Sequence, residues 1–183
     1  MNILNTILIF AVAFLAVFGE AALPGLRHLF GAQVDLLPVL MVYAALNASL
    51  TTVVSLAIFG GLWFDALSAN PLGVTILPLF AVGFVVFLQR DLILRELSFA
   101  QIILGTVASA VVPVLTVLLL LTGGKSPLLG WGSLWQWLVM TTGGAVATPV
   151  IFALFNWLNR AFGYQPRTET SFRPDREILR GRN

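Results

Sequence analysis

Apolar runs about as long as a bilayer is thick succeed one another along the chain, separated by short polar or proline-marked breaks. The first extends from Ile3 to about Ala22 and is ended by Pro24 and the polar Arg27-His28 pair. An uncharged run follows from Leu36 to Phe64, interrupted near its middle by Asn47, Ser49, Thr51 and Thr52. Further runs cover Leu72 to Leu88, Ser98 to Leu121 and about Leu134 to Leu158. A helix crossing hydrocarbon needs about 20 mostly apolar residues, so each run predicts membrane-spanning helix. The run from Leu36 to Phe64 would reach about 43 Å as one helix, too long for one core and short for two. Hydroxyl and amide side chains at Asn47 to Thr52 can satisfy freed backbone groups, so two short helices folded back there are predicted.

The fold class that follows is all-α: a polytopic transmembrane helix bundle of about six spans over residues 1–158, with a basic cytoplasmic tail over 159–183. Composition supports it, because 58% of the 183 residues are hydrophobic and only 10% are charged, against about 25% charged in soluble domains. The first run lacks a basic leading segment and a small-residue cleavage site followed by a soluble domain, so it reads as a first span rather than a cleaved signal. The chain has no cysteine and one histidine, which excludes disulfides, thiolate metal sites and an imidazole cluster.

Positive charge sets orientation. With six spans, Arg90, Arg95, Arg160 and the tail arginines lie on one side and only Arg27 and Lys125 on the other, which places both termini in the cytoplasm. A five-span arrangement with an outside amino terminus divides the charge equally well and keeps the tail inside. Trp63, Trp131, Trp135 and Trp137 fall at predicted outer span ends and Trp157 at an inner one, as interfacial rings do. Pro78, Pro113 and Pro149 lie inside predicted spans and should bend them. Small residues four apart at Ala57 and Gly61, Gly105 and Ser109, and Gly143 and Ala147 predict close helix packing within the bundle.

Asp65 is the one acid inside the longest apolar part, within Asp65-Ala66-Leu67-Ser68-Ala69-Asn70-Pro71-Leu72-Gly73. A carboxylate near hydrocarbon depth is costly and must face protein groups or a watery cavity. Asn70 before Pro71 reads as a helix start, so the fourth span is expected to begin at Pro71. Asp65 then closes the third span, where the helix dipole disfavours it. Compensation is expected from the amino-terminal amides of the fourth span, helped by the Ser68 and Thr75 hydroxyls. A structural latch, a partner contact and a ligand or proton site all fit that pattern.

The segment from Asp65 to Gly73 resembles the Asp-x-x-Ser-x-x-Pro-Leu-Gly stretch of MreD, the small integral membrane protein of the bacterial rod-shape and cell-elongation system. Upstream, Val34-Asp35-Leu36-Leu37-Pro38-Val39-Leu40 is similar to the family's Pro-Asp-Leu-Leu-Leu opening of the second span, with Val34 in place of proline and Pro38 as an intrusion. The resemblance covers roughly Ile3 to Leu158. It implies a non-enzymatic scaffold in the bacterial inner membrane, multi-pass with a cytoplasmic carboxyl terminus. Its partner would be MreC, with MreB, the glycosyltransferase RodA and a class B penicillin-binding transpeptidase in the wider complex for peptidoglycan synthesis. The motif residues Asp65, Ser68, Asn70, Pro71, Gly73 and Asp35 are then candidates for a partner contact or latch.

The family is also similar in fold to the substrate-binding subunits of energy-coupling-factor vitamin transporters, which gives the rival function. Such a subunit would be expected to show an Ala-x-x-x-Ala pair in its first span, and Ala11, Ala13, Ala16, Ala21 and Ala22 contain no two residues four apart. Catalysis lacks its residues: His28 falls in a loop, no Gly-x-Ser-x-Gly elbow occurs, and Asp65 has only Asp35 and Glu20, at outer span ends, as acids it could meet. No cofactor, metal or nucleic-acid partner is expected. In the cytoplasm, Arg90 and Arg95 of the Gln89 to Leu97 connector and Arg173 and Arg176 of the tail are the contact candidates, with anionic lipid as one partner.

Overall fold

The computed structural model of the chain describes residues 3–22, 31–68, 70–90, 98–125 and 130–162. Six helices make up these residues, with no strand among them: α1 (Ile3–Ala22), α2 (Leu37–Asn47), α3 (Leu50–Leu67), α4 (Ile76–Gln89), α5 (Ser98–Thr122) and α6 (Trp131–Phe162). Four of them, α1, α3, α5 and α6, are long and apolar enough to cross a membrane, whereas α2 and α4 are shorter apolar helices. Pro24, Arg27 and His28, the Asp91, Arg95 and Glu96 part of the connector, and Arg173 and Arg176 with the rest of 163–183 lie outside the described residues.

The long uncharged run does break where its hydroxyl and amide residues fall. α2 stops at Asn47, whose side-chain amide donates to the Tyr43 carbonyl at 3.1 Å. α3 starts after Ser49, whose hydroxyl accepts the Thr52 N–H at 3.3 Å, an N-cap contact of the usual kind. At 11 residues, α2 is about 16 Å long, roughly half a hydrocarbon core. It is apolar on every side, and a helix of that kind belongs in the interior. Leu37 to Leu46 are all buried, and α2 packs against each of the other five helices.

Side-chain contacts give the up-and-down order. Phe10 meets Phe59 and Phe14 meets Trp63 edge to face, so α1 and α3 run parallel on either side of the connection through α2. The Arg90 guanidinium at the end of α4 reaches the Ala48 carbonyl at 3.4 Å, while the space for a Cβ on Gly83 is filled by Met41 of α2 and Val53 of α3. α5 and α6 are antiparallel, because Gly105 faces Thr148 and Gly144 faces Ser109. A Cβ at either glycine would collide with the opposing hydroxyl, which makes these small residues an intramolecular seam, as their spacing predicts.

Three expectations are corrected. The fourth helix starts at Ile76 and not at Pro71, because residues 71–75 form a turn held by Asp65. Pro78 consequently falls in the first turn of α4, where the missing N–H breaks no helical bond; among the described residues only Pro113 and Pro149 are interior prolines. The last helix is also longer than its apolar run, from Trp131 to Phe162.

Candidate functional site

The turn between α3 and α4 is built around the Asp65 carboxylate, which is 1% exposed. Its Oδ2 accepts the Gly73 N–H at 2.8 Å and the Thr75 N–H at 3.1 Å, and its Oδ1 accepts the Thr75 hydroxyl. Pro71 and Val74 close a turn through the Val74 N–H to the Pro71 carbonyl, with Gly73 at φ +91°. That is the position of a type II turn that wants positive φ, and glycine supplies it without steric cost. The conformation aims two amides, from Gly73 and Thr75, at one oxygen. Thr75 precedes α4 without a side-chain cap bond, since its hydroxyl is committed to Asp65.

Ser68 and Asn70 hold the other side of the turn. The Ser68 N–H donates to the Phe64 and Asp65 carbonyls, its hydroxyl donates to the Asp65 backbone carbonyl at 3.4 Å, and the Asn70 N–H donates to the Ser68 hydroxyl at 3.4 Å. Ser68 therefore supports the Asp65 backbone and not its carboxylate. Of the motif residues, Asp65, Ser68, Asn70, Pro71 and Gly73 come together in this one turn, and Thr75 completes it. The charge that opposes the α3 dipole is answered by three donors within ten residues, an arrangement that stabilises an anion at a helix terminus.

Asp35 belongs to a second cluster, at the start of α2. It is 3% exposed, and its Oδ1 accepts the Leu37 N–H at 2.9 Å. Glu20, from the last turn of α1, accepts the adjacent Leu36 N–H at 2.9 Å, so two carboxylates cap consecutive amides of the central helix. Burial pushes the Asp35 carboxyl up to about 7, and the Leu37 amide only partly offsets this. Glu20 Oε2 is buried and has no hydrogen-bond partner among the described residues. Beside them Gln33 and Gln136 exchange a reciprocal pair of bonds, 3.0 and 2.8 Å, between the segment leading into α2 and α6. Glu20 thus meets Asp35, and the bonding partners of Asp65 are Gly73 and Thr75.

At the opposite end of α2, the Tyr43 hydroxyl donates to Asn5 Oδ1 of α1 and accepts from the Asn159 amide of α6, at 3.5 and 3.4 Å. Its ring stacks on Phe155 at 4.0 Å. These residues were not singled out by the sequence; a tyrosine flanked by aliphatic residues was the only signal. Arg90, the one cytoplasmic contact candidate among the described residues, lies 4.2 Å above the Phe87 ring as well as against Ala48. Its guanidinium thus closes the carbonyl left over at the α2 to α3 break. Among the described residues no group of three or more His, Cys, Asp or Glu side chains could hold a metal ion. No family model, curated protein or solved structure matches the chain.

Proposed function

We propose that this protein is a non-enzymatic scaffold of the bacterial cell-elongation machinery in the inner membrane, doing what the MreD family does by holding MreC within the peptidoglycan-synthesising complex. The observation that carries the reading is the use to which the motif is put. Asp65, the acid most expensive to keep among apolar helices, is spent on the Gly73 and Thr75 donors of its own hairpin. A carboxylate with three internal donors is poorly placed to bind a solute or abstract a proton, and well placed to fix a surface. The outward faces of the helices agree, since Phe14, Leu15 and Phe18 of α1 and Val146 and Val150 of α6 are exposed, offering apolar area to lipid and to the spans of other proteins. The test is genetic. Removing the protein from its host should turn rods into spheres, and an Asp65→Asn chain that still folds should restore rods in proportion to how well its hairpin holds. Normal rods without the protein would end the proposal.

A further inference from the structure

Beyond the scaffold reading, the seam between α5 and α6 changes character along its length. From Gly105 to Ser109 on α5, opposed by Gly144 and Thr148 on α6, the helices touch backbone to side chain. Past Pro113 no glycine faces the seam from α5, and the proline itself lacks the N–H of a regular helical bond. The two helices part there around a groove of about 850 Å³, walled by Pro113, Val114 and Val117 of α5 and by Leu134, Trp137 and Met140 of α6. The Trp137 indole N–H donates to the Ala110 carbonyl at 3.0 Å, which pins the ring across the inner end of the groove. Both walls belong to helices long and apolar enough to cross a membrane, so the groove lies where the surrounding solvent is hydrocarbon.

The rim of the groove is also defined. α5 ends in a Schellman turn: the Gly124 N–H donates to the Leu121 carbonyl at 3.2 Å and the Lys125 N–H to the Leu120 carbonyl at 3.0 Å, with Gly124 at φ +72°. This is the 6→1 and 5→2 pattern that stops a helix sharply. It leaves Lys125 exposed at the tip of the α5 wall, and no carboxylate among the described residues pairs with it. Five helical residues, about 7 Å along the axis, separate Val117 from the end of α5 at Thr122, and Lys125 follows in the turn. Half of a hydrocarbon core is about 15 Å. An acyl chain whose middle lies against Val117 would therefore carry its phosphate near the end of α5, where Lys125 is exposed, with Trp131 and Trp135 exposed at the same end of α6, where indole rings favour the headgroup region.

We propose that the α5–α6 groove binds an anionic glycerophospholipid from the leaflet at this end of the bundle, one acyl chain between Val117 and Met140 and its phosphate against Lys125. The apolar walls of the groove match the acyl chain, and the exposed Lys125 past the end of α5 matches the phosphate. The test uses the full chain in nanodiscs made of equal parts phosphatidylglycerol and phosphatidylethanolamine, then exchanged into mild detergent and examined by native mass spectrometry. One phosphatidylglycerol should stay bound per protein. Val117→Trp and, from the facing wall, Met140→Trp fill the groove and should lower that retention about tenfold, since excluding two buried methylenes suffices. Lys125→Gln should keep a lipid but lose the preference for phosphatidylglycerol. A photoreactive group at position 114 of an otherwise unchanged chain should label lipid. Bulk lipid proportions in the parent, unchanged retention in both filled variants, or labelling of a protein segment in place of lipid would each overturn the proposal.

Discussion

Replacing Asp65 with asparagine keeps the shape of the side chain and removes its charge, so the cost can be worked from its three contacts. Hydrogen bonds to a charged group contribute about 1.5–3 kcal/mol each and neutral ones about 0.5–1.5 kcal/mol. Asparagine can still accept from the Gly73 and Thr75 amides on its oxygen, while its NH2 faces a Thr75 hydroxyl able to rotate and accept. All three bonds survive in weaker form, and the expected loss is about 2–3 kcal/mol. For a chain of this size that is roughly 5–10 °C in melting temperature. Thr75→Val removes only the hydroxyl donor and should cost about 1–2 kcal/mol. Because both changes touch the same bond, the double variant should be less destabilised than the sum of the two, by about 1 kcal/mol. Thermal unfolding of the purified chain in a mild detergent, followed by tryptophan fluorescence, measures all four corners of the cycle. An Asp65→Asn protein within about 0.5 kcal/mol of the parent, with no coupling to Thr75, would refute the latch and return Asp65 to the class of partner or ligand contacts.

Three further outcomes are expected. Gly105→Ala drives a methyl into the Thr148 side chain and should destabilise by about 1–3 kcal/mol, with partial rescue by Thr148→Ala, measured by the same melting assay. Ser49→Ala removes the α3 cap at the α2 to α3 break and should cost about 1 kcal/mol. Burial raises the folded Asp35 carboxyl above its ordinary value of 3.8, so the folded state holds its proton more tightly than the unfolded state does. Its contribution is therefore retained below about pH 4 and lost as pH rises toward 7. Melting temperature against pH should fall across that window in the parent and fall less in Asp35→Asn.

Residue by residue, local rules succeeded where local forces decide. The first apolar run is helical throughout Ile3–Ala22, and the break at Ala48 follows from polar side chains able to serve freed backbone groups. The start of α4 was misplaced because Asn70-Pro71 is a good cap by local chemistry, whereas the Gly73 and Thr75 amides are drawn back by a carboxylate eight and ten residues earlier. Gly73 was the available clue, a glycine where a helix interior would not favour one. The pairing of Gln33 with Gln136 and the bridge from Tyr43 to Asn159 span more than a hundred residues. No periodicity within a single helix reports such contacts. The all-helical bundle was legible because apolar length is a property of each segment alone, whereas the central place of α2, explained afterwards by its lack of any polar face, was not among the expectations.

The scaffold account stands or falls on what remains attached when the protein leaves the membrane. Extracted in mild detergent from its own host and purified through an affinity tag, it should carry MreC in stoichiometric amount, and the Asp65→Asn variant should carry less in step with its lower melting temperature. A preparation without MreC that instead holds one water-soluble nutrient per chain would contradict the account and favour the transporter subunit.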